Sequence, residues 1–306
     1  MITVFGSINV DMVMQVAALP RPGETVLCPG YLLVPGGKGA NQALAAARAG
    51  AAVRMVGCVG RDRFAETALS LLHRQGVELS HVYESSRPTC CATVWVDNAG
   101  ENAIVVASGA NLDASAGQIA DDALGAGDLL VLQMEVPHEE NWALAKRAKA
   151  RGARVILSVA PAAPVPEAVF ADLDMILVNQ VEGAMVADAV KLDAASPAGI
   201  AAALAQRFGV TCVMTLGADG ALAATPEGTL RVPTLPVSAI DTTAAGDAFA
   251  GVLAASLDDG DGLEDALRRA SAAAGLACTH VGAQTSLPDA DAIEAALADL
   301  PAAEPA

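Results

Sequence analysis

The segment Asp241-Thr242-Thr243-Ala244-Ala245-Gly246-Asp247 has a carboxylate at each end of a run of small residues, and an Ala-rich stretch follows it. Little side chain at Ala244, Ala245 and Gly246 lets a ligand approach the backbone closely. Free N–H groups at a helix start, reinforced by the helix dipole, form an anion site. A carboxylate at Asp247 would sit beside that anion. It could take the proton of an attacking hydroxyl, which is what transfer of a phosphoryl group to an alcohol requires. The same residue could instead serve only as the helix N-cap, and the local sequence leaves both readings open.

Other clusters carry groups suited to polar ligands. Pro35-Gly36-Gly37-Lys38-Gly39-Ala40-Asn41-Gln42 places glycines on both sides of Lys38. Such a turn can wrap a ligand with its backbone, and Asn41 offers both a donor and an acceptor to a sugar hydroxyl. It could also be a plain glycine turn before a helix. It is not a Walker loop: Gly39 follows Lys38 where Ser or Thr is needed, and Leu32 holds the position of the first glycine. Asn9 and Asp11, two apart after the first apolar run, face one side of an extended segment. They form either a grip on neighbouring hydroxyls or a polar strand-to-loop transition. Glu135 follows the apolar run Leu129–Gln133 and is either a ligand contact or a surface carboxylate.

Asn179-Gln180-Val181-Glu182 could meet phosphate through Asn179 and a Mg²⁺ water shell through Glu182, or simply cap a helix. Thr215-Leu216-Gly217-Ala218-Asp219-Gly220 is either a nucleotide-binding loop or a turn between strands. Gly125-Ala126-Gly127-Asp128 precedes an apolar run and reads as a loop.

The elements that must position these groups alternate in type. Short apolar runs (Ile2–Phe5, Val53–Cys58, Leu129–Leu132, Val155–Leu157, Met175–Val178, Cys212–Leu216) read as strands. Ala-rich amphipathic runs (Gly39–Ala49, Phe64–Gln75, Glu139–Ala150, Pro197–Phe208, Ala245–Ser256, Gly262–Thr279) read as helices. This pattern predicts an α/β fold with a mostly parallel central sheet between helices, whose ligands bind at the carboxyl ends of strands. Met12–Val34 and Thr89–Val106 break the rhythm. The second reads as a hairpin turning at Asp97–Gly100. Together they predict a small β-sheet that could act as a lid, or else edge strands of the main sheet. Asp188–Ala201 reads as a loop leading into a helix, and Pro301–Ala306 as a frayed tail.

Composition narrows the function classes. The 306 residues carry a formal net charge of −17 and are 53% apolar but only 3% aromatic. Strong acidity argues against a nucleic-acid or anionic-membrane partner. Cys28, Cys58, Cys90, Cys91, Cys212 and Cys278 form no Cys-x-x-Cys pair, and we expect them to be reduced and mostly buried. His73, His81, His138 and His280 lack metal-ligand spacing. The first residues show no signal peptide and no stretch reads as a membrane span, so the expected location is cytoplasmic.

In this order the motifs resemble the ribokinase-like (PfkB) carbohydrate kinases. The likeness runs from Gly6-Ser7-Ile8-Asn9-Val10-Asp11 to Gly282-Ala283-Gln284-Thr285-Ser286-Leu287-Pro288, with Pro22-Gly23-Glu24-Thr25 and Gln133-Met134-Glu135-Val136-Pro137 also matching. The resemblance implies a single kinase domain over 1–306, a three-layer α/β sandwich with lid segments at about 12–34 and 89–106, and a homodimer joined through that β-lid. It implies ATP as co-substrate with Mg²⁺. Asp247 matches the catalytic base. Ala244, Ala245 and Gly246 match an anion hole for the transferring phosphoryl group. Asn9, Asp11, Gly37, Lys38, Asn41 and Glu135 match sugar-binding positions. Asn179, Thr215, Gly217 and Gly220 match the ATP side, and Glu182 the Mg²⁺-linked acid. Asp241, Thr243, Ala277, Gly282 and Ser286 match positions that hold an activating K⁺, a cation suited to oxygen ligands. His280 lies either against adenine or in solvent.

The chain departs from the family pattern on the nucleotide side. Ser158-Val159-Ala160-Pro161 stands for Asn-Pro-Ala-Pro, Gln180 for an acid, and Ser271 for Asn or His. The implied reaction is phosphorylation of D-ribose to ribose 5-phosphate, or of deoxyribose, another sugar or a nucleoside. Few aromatics argue against stacking a nucleoside base. A dinucleotide-dependent oxidoreductase lacks its Gly-x-Gly-x-x-Gly after the first strand. A non-catalytic sugar sensor has no need of Asp247.

Overall fold

The computed structural model describes residues 1–305. A ten-stranded sheet runs through the molecule, with a separate four-stranded sheet beside it. β1 (Ile2–Phe5) lies near one end of the parallel part. It is flanked by β4 (Val53–Gly60), with β5 (Glu78–Ser85) beyond, and on its other side by β8 (Leu129–Leu132). Next to β8 come β9 (Arg154–Ser158), β10 (Met175–Asn179) and β11 (Thr211–Thr215), all parallel. Antiparallel β12 (Ala221–Thr225), β13 (Gly228–Val232) and β14 (Glu304–Pro305) close the far edge.

Helices cover both faces, and strand residues divide between two cores with period two. Leu129 and Val131 enter one core and Leu130 and Leu132 the other. The first core takes side chains from α1 (Lys38–Arg48), α2 (Arg63–Arg74), α6 (Ala245–Asp259), α7 (Leu263–Ala277) and α8 (Ala290–Ala296). The second takes them from α3 (His138–Ala150), α4 (Gln180–Ala189) and α5 (Pro197–Phe208). Many of these side chains are alanines, so backbones approach closely. A Cβ on Gly251 of α6 would lie 2.6 Å from the Ala45 Cβ and 3.0 Å from the Ala46 nitrogen of α1.

The small sheet has the order β3-β2-β6-β7, formed by β2 (Asn9–Gln15), β3 (Leu32–Gly36), β6 (Cys90–Val96) and β7 (Asn102–Ala107). The segments that broke the α/β rhythm therefore pair with each other and not with the main sheet. Pairing starts earlier than expected, at Asn9 against Gly36. Two further expectations need correction. Asp188–Ala201 is only in part a loop: Asp188 and Ala189 end α4, and Pro197 opens α5 with Ser196 capping it. The tail is tied down at Glu304–Pro305, which pairs with Leu230 and Arg231 because β13 leaves its edge open; Ala306 lies outside the described residues.

All six cysteines are free, but only Cys58, Cys90 and Cys212 are buried. Burial pushes those three thiols up to about 11, 12 and 12 respectively, so they are unreactive. Among the described residues, no helix is long and apolar enough to cross a membrane.

Candidate active site

Asp247 lies in the first turn of α6, yet it does not cap that helix. The N-cap is Ala244, whose side chain offers no cap and whose φ of 60° is left-handed. A non-glycine residue there costs roughly 1–2 kcal/mol, and such strain gathers where geometry serves a ligand. The Asp247 carboxylate is buried and turns back onto α1. Asn41 Nδ2 donates to its Oδ2 and Gln42 Nε2 to its Oδ1, both at 2.9 Å. Among the described residues, Gly246 N–H and Asp247 N–H have no acceptor. Ala245 N–H differs: it turns back onto the Thr242 carbonyl at 3.3 Å. A Cβ on Gly246 would meet nothing within 4 Å, so its backbone faces open space.

The groups matched to sugar binding gather around this carboxylate from β2, the start of α1 and the segment after β8. Gly37, with φ 92°, is the N-cap of α1. A side chain there would strike the Asn9 nitrogen at 2.8 Å. Only glycine therefore lets the 35–42 turn close on Asn9. Glu135 is not a bystander: its Oε2 accepts from Ser7 Oγ at 2.6 Å and from Lys38 N at 3.1 Å. Asn9 Oδ1 accepts from Asn111 Nδ2 at 2.7 Å. Asp11 lies against the Gly36 backbone. Burial, then the charges of Glu135 and Asp247, push the Asp11 carboxyl up to about 6. Lys38 is the counter-charge: Asp247 foremost, together with Glu135, Glu182 and Asp11, raises its ammonium and outweighs the burial that opposes it.

On the other side of α6 opens a cavity of about 580 Å³. Asn179, Thr215, Gly217 and Gly220 line it at the carboxyl ends of β10 and β11, facing Ala245 and Gly246. The four residues matched to ATP thus share one cavity with Ala245 and Gly246. Asn179 also caps α4 in a reciprocal pair: its Oδ1 accepts from Glu182 N at 2.9 Å, and Glu182 Oε2 accepts from Asn179 N at 2.7 Å. The structure shows the capping, while Asn179 Nδ2 and Glu182 Oε1 stay unbonded among the described residues. Burial raises the Glu182 carboxyl. Ser271 lines the same cavity, with its hydroxyl tied to the Pro233 carbonyl at 2.6 Å. His280 is exposed and outside the cavity lining.

Asp241 joins the two loops beside the start of α6. Its Oδ1 accepts from Thr243 N at 2.9 Å and its Oδ2 from Gly282 N at 2.8 Å. Burial opposes its charge, but the Gly282 and Thr243 donors prevail and hold the carboxyl below its usual range. The Thr243 and Gly282 carbonyls accept no hydrogen bond among the described residues. Ala277 O takes the His280 N–H at 3.3 Å, and Ser286 Oγ donates to Ala283 O at 2.8 Å. One carboxylate with free carbonyls is a donor set that fits a monovalent cation.

Four contributors escaped sequence reasoning: Ser7, Gln42, Asn111 and Gln133. Ser7 and Gln42 stood inside motifs already singled out. Asn111, in the short 3₁₀ turn Gly109–Asp113, carried no local signal.

A strained helix N-terminus, a carboxylate beside it, a cluster of polar side chains on one side and a large cavity on the other are the features of a phosphotransferase with two substrates. The chain matches the family described as pfkB family carbohydrate kinase over residues 1–290. It is 34% identical over 290 residues to the ribokinase of Haemophilus influenzae, covering 94% of this chain and 95% of that one. Its fold superposes on the crystal structure of ribokinase from Thermotoga maritima with a TM-score of 0.90 at 34% identity, covering 97% and 99% of the two chains. Against Arabidopsis thaliana ribokinase complexed with ribose and ATP, the TM-score is 0.87 at 30% identity, covering 97% and 98%. The chain belongs to the pfkB family of carbohydrate kinases, and it is an ATP-dependent sugar kinase.

Proposed function

We propose that this protein transfers the γ-phosphoryl group of ATP to the O5 hydroxyl of D-ribose, giving D-ribose 5-phosphate and ADP. One observation carries the reading. Asp247 stands between the polar cluster and the cavity, bonded to Asn41 on one side and following Gly246, which lines the cavity, on the other. The ribokinase complex with ribose and ATP supports the choice of acceptor.

In this reading Asn9, Asp11, Gly37, Lys38, Asn41 and Glu135 hold the sugar, with Asp11 and Glu135 accepting from its hydroxyls. Asp247 takes the O5 proton as the new O–P bond forms. The bond from γ-phosphorus to the bridging oxygen breaks, and its electron pair leaves with ADP. Backbone N–H groups of Ala244, Gly246 and Asp247 receive the charge that builds on the phosphoryl oxygens. Asn179, Thr215, Gly217 and Gly220 hold the nucleotide.

Glu182 is assigned to Mg²⁺ through its water shell, and the ion would offset phosphate charge. Asp241, with the oxygens of Thr243, Ala277, Gly282 and Ser286, is assigned to K⁺. That ion would brace both loops without touching substrate.

The chain is read as one catalytic domain with the four-stranded sheet as its lid. Leu32, Val13, Val94 and Ile104 lie in register across that sheet. Leu32 and Ile104 are 68% and 54% exposed. An apolar row of this kind favours a homodimer joined lid to lid. Free thiols favour a reducing compartment, and we place the enzyme in the cytoplasm.

Comparing kcat/KM for ribose, deoxyribose, other sugars and nucleosides with Mg-ATP tests the reading. Ribose should rank first. A nucleoside in first place would replace the acceptor while leaving the kinase chemistry standing.

A further inference from the structure

Gln42 and Gln133 are fully buried side chains to which the sugar and nucleotide readings give no task. They form a directed chain of amides. Asn141 Nδ2, from α3, donates to the Gln133 backbone carbonyl at 2.6 Å and so fixes where Gln133 sits, not which way its side-chain amide faces. Gln133 Nε2, at the end of β8, donates to Gln42 Oε1 at 2.9 Å. Gln42 Nε2, from α1, donates to Asp247 Oδ1 at 2.9 Å.

A primary amide accepts at one end and donates at the other. With Gln133 N–H on its oxygen, Gln42 must present its N–H to Asp247. Turning it over would set oxygen against the carboxylate and N–H against N–H. The arrangement has a cost: Gln133 Oε1 is buried with no donor. Apolar residues of similar volume would fill both positions without that cost, so packing alone does not account for two glutamines.

Asn41 holds the other carboxylate oxygen under different conditions. It belongs to the sugar set, and its Oδ1 is buried without a partner, so it has reason to rearrange when sugar hydroxyls arrive. Gln42 has both ends engaged within the protein and no such reason. We propose that Gln42, oriented by Gln133, is the positioning residue for Asp247: it anchors Oδ1 through the catalytic cycle and leaves Oδ2 to receive the hydroxyl proton. This inference rests on the reading of Asp247 as the base.

Gln42→Met keeps the volume and removes the donor. The expected result is a fall in kcat of about 10- to 100-fold with ribose KM changed less than about 3-fold. The acid limb of the kcat–pH profile should move to higher pH by about one unit, because a donor to the charged carboxylate favours that form. Gln133→Met should move the limb in the same direction by less. The double variant should lose no more than Gln42→Met alone, as expected for residues in one chain.

If Gln42→Met keeps the wild-type kcat and profile, or loses kcat with an unmoved limb, the proposal is overturned. Should Gln42→Met not fold, Gln133→Met decides by whether its limb moves. Asp247→Asn, measured alongside, separates the two levels: substantial turnover in that variant defeats the base reading itself. An inactive Asp247→Asn beside an unmoved Gln42→Met profile defeats only the role of Gln42.

Discussion

Asn41 and Asp247 are 206 positions apart in the chain, and their side chains meet at 2.9 Å. That bond joins the start of α1 to the start of α6 and brings the groups assigned to the sugar to the groups assigned to the phosphoryl. Asp247→Asn should leave the fold and sugar binding largely intact and lower kcat by about 10²- to 10⁴-fold, the usual contribution of a general base. Calorimetry with ribose and turnover with Mg-ATP would show the two effects separately. Near-normal turnover would mean that another group takes the proton.

Asp11 should trade stability for binding. Its carboxyl is pushed up to about 6 from 3.8, so between those values the folded state holds more protons than the unfolded state. The slope of stability with pH is then negative for this residue. Its ionisation costs the empty protein on the order of 1–3 kcal/mol above pH 6. Asp11→Asn should therefore raise Tm by a few degrees at pH 8 and show little gain at pH 4, while ribose KM rises. For the wild type, KM should rise as pH falls below about 6 and Asp11 loses its charge. A KM that stays flat from pH 8 to pH 5 would remove Asp11 from the sugar site.

Asp241 should act through the loops and not through either substrate. Asp241→Ala removes the bonds to Thr243 N and Gly282 N together with the one carboxylate of the proposed K⁺ site. Kinetics in K⁺ against Na⁺ should show activation in the wild type and none in the variant. The variant should also lose roughly 1–3 kcal/mol of stability, read from denaturant unfolding. A variant still activated by K⁺ would place the ion elsewhere.

Gly251 should be needed for the distance between α1 and α6. A methyl group there would press on Ala45 Cβ at 2.6 Å. Gly251→Val should destabilise by about 1–3 kcal/mol through overpacking. Because Asp247 and its two amide partners ride on those helices, kcat should fall more than nucleotide affinity does. Equal losses in both would mean that the strain is absorbed away from Asp247.

The lid row offers a test of assembly. Ile104→Lys places a charge on an apolar stripe of the four-stranded sheet, in register with Val94. Sedimentation should show a dimer for the wild type and a monomer for the variant. A wild type that sediments as a monomer would remove the lid-to-lid assignment.

Much of this architecture was legible in the sequence because local patterns carry it. Ile2–Phe5, Leu129–Leu132 and Pro197–Phe208 occupy the bounds their periodicity marked. α4 was read only as a possible capped start, since buried Val186 and Ala187 lie within an Ala-rich run of little amphipathic contrast. The pairing of Glu304–Pro305 was not legible at all: it depends on an open edge of β13, more than 70 positions earlier in the chain.

The same division holds at Asp247. By itself the sequence determined the order of the motifs, the small residues before α6, and a carboxylate beside them. These are properties of adjacent residues. The local segment left open whether that carboxylate caps a helix or serves as a base, and the ordered resemblance across the chain pointed to the base. The tertiary structure removed the cap reading: Ala244 is the N-cap, and Asp247 turns away from its own helix end onto Asn41 and Gln42, which are 206 and 205 positions away. Contacts over such separations arise only when α1 packs on α6 and β1 lies beside β8. Which amide holds which oxygen is therefore a property of the packed molecule.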